Sequence, residues 1–255
     1  MEIRNRFTRK VILSGEADSL ERLLQESLKP GLDLSGADLP GVNLSGVKLS
    51  GVDLAGANLA GANLTRAGIS HTDLARVNLT RASLTGASLV GADLTEANLT
   101  GAELTLANLQ QASLVNADLY LANLTGANLT AADLSEANLA KSNLTIAKLV
   151  KADLFWADLG GANLTMADLT GATLTVANLS RAILTGAIFS KAILAASNLS
   201  DADFSHANLS GADLTDANVS DANFDDADLT DANLSGTDLA MDAEARKRGN
   251  PRLKL

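Results

Sequence analysis

The sequence lacks much of what functional sites are built from. Its 255 residues include no cysteine, three prolines, one tryptophan, one tyrosine and two histidines. Without cysteine there is no disulfide framework, no thiolate metal site and no cysteine nucleophile, which fits a reducing compartment. His71 and His206 lie far apart in the chain, and no Ser-His-Asp set, Gly-rich phosphate loop or metal-ligand spacing occurs. No cofactor is expected, and the chain does not read as an enzyme. No run approaches 18 apolar residues, so no membrane span is expected. Val11-Ile12-Leu13 is too short for the apolar region of a signal peptide. These absences point to a soluble, cytoplasmic protein. Aromatic residues make up only 3% of the chain, and residues 200–239 contain no Lys or Arg.

What the chain does contain is a period of five. From Leu34 to Leu239 every fifth residue is large and apolar, in 42 consecutive units, 37 of them with Leu. The exceptions are Ile69, Phe189, Phe204, Val219 and Phe224. Two residues before each there is usually a small residue, Ala in 33 of the 42 units. Five matches neither the 3.6 of a helix nor the 2.0 of a strand. With the apolar residue numbered 0, positions −2 and 0 point inward, and −1, +1 and +2 point outward. A unit this short buries nothing alone, so it forms one side of a coil whose turns stack. Gly at +2 in 15 units suits a corner between sides. Asp or Asn recurs at −1, an outward and structural position rather than the pocket that acid–base carboxylates need.

Units such as Ala57-Asn58-Leu59-Ala60-Gly61 resemble those of the pentapeptide repeat proteins, A-[DN]-L-x-x. That resemblance covers Leu32 to Leu239. It implies an all-β solenoid, a right-handed quadrilateral β-helix in which units twenty residues apart lie above one another. Scarce aromatics fit a narrow shaft. At about 4.8 Å per coil the rod is roughly 50 Å long.

The expected organisation is an N-terminal cap over residues 1–31, the β-helix over 32–240 and a basic C-terminal tail over 241–255. In the cap, Ile3, Phe7, Val11 and Leu13 are expected to face inward on short strands. A helix follows from about Ser19 to Leu28, with Asp18 as N-cap, Glu21 completing a capping box, and Leu20, Leu23, Leu24 and Leu28 on one face. This segment is placed to cover the open first coil. Arg4, Arg6, Arg9 and Lys10 read as a solvated strand face, because the chain as a whole is acidic with pI ≈ 4.6. Direct nucleic-acid binding is not expected.

On the outside, Val115, Phe155, Trp156, Val176 and Ile193 fall on one face by the twenty-residue count, and Leu106, Ile146, Met166 and Ile183 on the opposite one. Phe155 and Trp156 are the centre of a candidate contact site, since aromatics anchor interfaces. Ten aspartates between residues 200 and 239, among them Asp221, Asp225, Asp226 and Asp231, form a collar near the C-terminal end. Met241 to Arg248 reads as a short helix. Met241, Arg246, Lys247, Arg248, Leu253 and Leu255 are candidates for a tail-to-tail homodimer. The leading functional reading is a non-enzymatic scaffold or protein-interaction rod. The alternative, implied by the resemblance, is a DNA-mimicking modulator of DNA gyrase like the quinolone-resistance pentapeptide proteins. Those carry projecting loops, which this repeat lacks, and here the acid is expected at one end rather than along a face.

Overall fold

The computed structural model describes residues 1–239. Parallel bridges join position −1 of one unit to position −1 of the unit twenty residues on, from Asp33↔Asp53 through Asp213↔Asn233. Four five-residue units therefore make each turn of the coil. Bridges are single residues because each side is straight for only a few residues before it turns. Face 1 is defined by residues 32–36 and every fourth unit after it. Faces 2, 3 and 4 begin with residues 37–41, 42–46 and 47–51.

One unit shows where the backbone hydrogen bonds go, a question every buried segment must answer. In residues 132–136, Ala132 N–H closes the corner onto Leu129 O at 3.0 Å. Asp133 N–H reaches back one coil to Ala112 O, and Leu134 and Glu136 N–H reach forward to Asp153 O and Phe155 O. The fifth amide, Ser135 N–H, is accepted by Asp133 Oδ1 at 3.0 Å. This is the physical reason for Asp or Asn at −1: its side chain supplies the acceptor that the ladder leaves out.

The corner is equally uniform. All 41 described +2 residues have φ between 53° and 77°, 15 of them Gly and 26 not. The expectation that Gly marks the corner is met, but the left-handed bend forms without it, because the ladder on both sides imposes it.

Inside, Leu and Ala fill the shaft with almost no exposure. Near the C-terminal end Phe204 stacks on Phe224, one coil on, with centroids 4.9 Å apart, and Phe189 packs against Phe204 at 5.5 Å. Leu234 and Leu239, at the last coil, are only partly buried.

Before the rod, β1 (Glu2–Arg4) and β2 (Val11–Ser14) pair antiparallel. Asn5 continues onto the first coil by bridging Ala37, with Arg6 N–H bonding Gly36 O at 2.7 Å. Helix α1 (Leu20–Ser27) buries Leu23 and Leu24 in the common core, and Leu20 and Leu28 pack against it. Two local expectations are corrected. The N-cap is Ser19, whose hydroxyl accepts Arg22 N–H at 3.2 Å, while Asp18 pairs with Arg22 instead. Glu21 turns to the rod and accepts Asn43 N–H at 3.4 Å. Of the expected inward residues Ile3 is buried, but Val11 is exposed and Phe7 is 69% exposed, lying across the bare corners of Gly36 and Gly56. At this end the core takes Ile3, Leu23 and Leu24 instead. Among the described residues, no helix is long and apolar enough to cross a membrane.

Candidate interaction surfaces

Because every unit has the same backbone, the faces differ only in what stands at −1, +1 and +2. At −1, face 1 carries Asp33, Asp53, Asp73, Asp93, Asp133, Asp153 and Asp213. Over its whole width face 1 holds ten carboxylates against one base, Arg76, a net of −9. Faces 2 and 3 each come to −3 and face 4 to +1. The expectation that acid is concentrated only at one end is corrected: charge also runs along one side of the rod. Counting the −1 residues by twenties exposes this in the sequence.

The collar aspartates are where the period puts them. Asp216, Asp221, Asp226 and Asp231 occupy the four corners of one coil, and Asp225 stands at a +1 position. Asp226 faces His206 at 3.7 Å and Asp201 faces Arg181 at 3.5 Å, each pair one coil apart. Burial raises the Asp203 carboxyl, but hydrogen bonds from the Ser205 backbone and hydroxyl, Thr185 and Asn223 outweigh it and hold the group below its usual range. Arg4 pairs with Glu2, and the Arg6 guanidinium lies 4.6 Å from the Phe7 ring centroid, so these two cations engage their own N-terminal segment. Among the described residues, no cluster of three or more His, Cys, Asp or Glu is arranged to hold a metal ion.

Phe155 and Trp156 stack with centroids 6.0 Å apart and planes 15° apart. Their exposures are 41% and 59%, and Val176 and Ile193 on the same face are 42% and 41% exposed. Trp156 and Val176 are consecutive in one corner column, with φ of 57° and 62°. A side chain with Cβ in this region costs roughly 1–2 kcal/mol, and a β-branched one is a genuine outlier. Trp156 and Val176, both exposed, recover little of that by burial.

On face 3, Leu106 leans over the bare Gly126 with Ile146 beyond it, and Met166 leans over Gly186. Ile183, Ile188 and Ile193 put apolar residues at −1 on three sides of one coil, and lacking an acceptor they leave Thr185, Ser190 and Ala195 N–H without the usual side-chain partner. Ile188 was not singled out from the sequence, although its −1 position made it visible there.

The profile of the pentapeptide repeats matches overlapping segments from residue 31 to residue 240. The chain belongs to the pentapeptide repeat family. HetL, a pentapeptide repeat protein involved in heterocyst differentiation regulation in the cyanobacterium Nostoc sp. strain PCC 7120, is 37% identical, with 78% of this chain and 89% of HetL covered and a TM-score of 0.77. QnrB1, a plasmid-mediated fluoroquinolone resistance protein, is 19% identical over 72% of this chain and 96% of its own, with a TM-score of 0.42. Rfr23 from the cyanobacterium Cyanothece 51142 is 30% identical over 45% of this chain and 82% of its own, with a TM-score of 0.23. Among the curated proteins, none matches the sequence. The dimer candidates Met241, Arg246, Lys247, Arg248, Leu253 and Leu255, and the expected helix at 241–248, lie outside the described residues.

Proposed function

We propose that this pentapeptide repeat protein is a non-enzymatic, cytoplasmic scaffold or protein-interaction rod, a right-handed β-helix capped by residues 1–31, which acts through its surface. The observation that carries the reading is the exposed Phe155–Trp156 stack, continued along the corner column of Trp156 by the exposed Val176. Two stacked rings and a valine left exposed side by side are the kind of anchor an interface buries. The likeness to HetL, a protein involved in regulation, agrees with this. A photoreactive group at residue 176 should crosslink one discrete protein in the source cells, and Phe155→Ala with Trp156→Ala should abolish that product. Equal capture by both forms overturns the reading.

One observation favours a second reading, a DNA-mimicking modulator of DNA gyrase. The carboxylates of face 1 repeat at about 4.8 Å per coil, beside roughly 3.4 Å per phosphate along one DNA strand. Purified protein should then change gyrase supercoiling, and neutralising Asp221, Asp225, Asp226 and Asp231, or the face 1 aspartates, to Asn should weaken the effect. No effect at micromolar protein removes this reading. A C-terminal homodimer through residues 241–255 is part of the main proposal, since the last coil leaves Leu234 and Leu239 partly uncovered. Sedimentation should give a dimer for the full chain and a monomer after removal of 241–255.

A further inference from the structure

We infer that face 1 between Asp93 and Ile193 is a docking strip for a basic, amphipathic α-helix of a partner protein. The inference rests on the interaction-rod reading and names the class of partner.

The strip has two parts. Its apolar part is Phe155, Trp156, Val176 and Ile193, all exposed, with no element of the described chain covering them. Its polar part is Asp93, Glu96, Asp133, Glu136 and Asp153, and face 1 has no Lys or Arg between residues 92 and 196. Among the described residues none of these five carboxylates joins an ion pair. Each Asp spends one oxygen on the amide two residues on, as Asp93 does for Thr95 and Asp153 for Phe155, and presents the other outward.

The fold demands neither part. An Asn at −1 serves the same amide, as Asn78 does for Thr80 on face 2, so the charge is extra. Gly serves the +2 corner, so the ring and the valine are extra too. A flat surface with apolar anchors at one end and uncompensated negative charge along the rest fits a partner with the opposite layout.

The spacing selects a helix. Coils rise by about 4.8 Å, and same-face residues of an α-helix, three or four apart, advance by roughly 4.5–6.0 Å. An extended strand advances by about 6.6–6.8 Å between same-face residues, so it loses register with the coils after two or three steps. Five coils separate Asp93 from Ile193, about 24 Å, the length of a helix of roughly 16 residues. Lys or Arg over the acidic coils and large apolar residues over the Phe155–Trp156 stack complete the match.

The probe is a fluorescein-labelled synthetic helix of about that length, basic along one stripe and with Leu and Phe in its last turn, titrated with the full chain by anisotropy. Saturable binding is expected. It should weaken about tenfold, near 1.4 kcal/mol, in Phe155→Ala/Trp156→Ala and by a similar factor in Asp93→Asn/Asp133→Asn/Glu136→Gln. Raising salt should weaken it further. The Asn variants keep the turn acceptor and lose like-charge repulsion, so they should melt no lower than the wild type, which excludes misfolding as the cause. Equal binding by a peptide of the same composition with its apolar positions scrambled, or with a proline breaking the helix, overturns the inference. So does binding that survives loss of both rings and carboxylates, or capture of intact DNA gyrase with no peptide binding. If the peptide fails while the crosslink at residue 176 still depends on Trp156, the helix class is wrong and the interaction rod stands.

Discussion

Faces 1 and 2 share one backbone and one core, yet their −1 columns are built on opposite principles. On face 2, Asn58 Nδ2 donates to Asp38 Oδ1 at 2.8 Å, and Asn78 to Asn58 at 3.1 Å. Further along, Asn178, Asn198 and Asn218 each donate to the residue one coil back. Each Oδ1 so serves its own turn and its neighbour. On face 1, Asp33, Asp53, Asp73 and Asp93 follow one another with no donor among them. Like charges about 4–5 Å apart repel by up to roughly 1 kcal/mol in water, less in salt. The repeat therefore has a quiet solution for this position and does not use it on face 1. What differs between the faces is not required by the fold, and face 1 is where partner recognition is to be sought.

The largest way to break the comparison is from inside, where the two faces are equivalent. Leu134→Asp on face 1 and Leu139→Asp on face 2 each put an unpaired charge in the shaft. Both should unfold or truncate the stack, costing more than about 4 kcal/mol. By contrast Asn138→Ser, which loses bonds to Ala140 and Asp118, should cost about 1 kcal/mol. Similar thermal melts for Leu134→Asp and Asn138→Ser would refute the register.

Removing residues 1–31 acts on both faces at once. It uncovers the shaft beneath Leu23 and Leu24 and frees the edge that Asn5 and Arg6 pair with. The truncated rod should aggregate in light scattering, and a monomer soluble at high concentration would count against a capping role.

On the outer surface the expected effects are small and of opposite sign to the usual. Trp156→Gly relieves a left-handed corner and should raise stability by roughly 1 kcal/mol in denaturant unfolding, while abolishing partner capture. A loss of stability would show that the ring serves the rod itself. Smallest is the column swap. Asp73→Asn should stabilise by about 0.5 kcal/mol at low salt, with Asn78→Asp on face 2 doing the reverse, and both effects should shrink in high salt. If neither responds to salt, the face 1 column carries no repulsion and loses its distinction.

Much of this was legible beforehand. The period of five named the buried residues, since only alternation of −2 and 0 against the rest sorts Ala and Leu from polar residues. Leu134 and Asn138 fall as that pattern requires. Phe155 and Trp156 were legible as an aromatic pair, and the structure adds their stacking and the left-handed corner at Trp156. The N-terminal segment was less readable: Phe7 looked like core and lies outside, and Ser19 displaced Asp18 as N-cap, because local alternation and spacing do not say which space is already filled.

By itself the sequence determined the inside: a coil of five-residue sides, Leu and Ala inward, because burial acts residue by residue and leaves its mark at every fifth position. Only the tertiary structure decided the outside. Which residues share a face depends on how many sides close the coil, and four sides bring residues twenty apart into contact. That closure turns scattered aspartates into the column of face 1 and places Val176 above Trp156. It also holds each +2 residue left-handed, Gly or not, because the corner is set by hydrogen bonds to the neighbouring coils and not by the residue standing there.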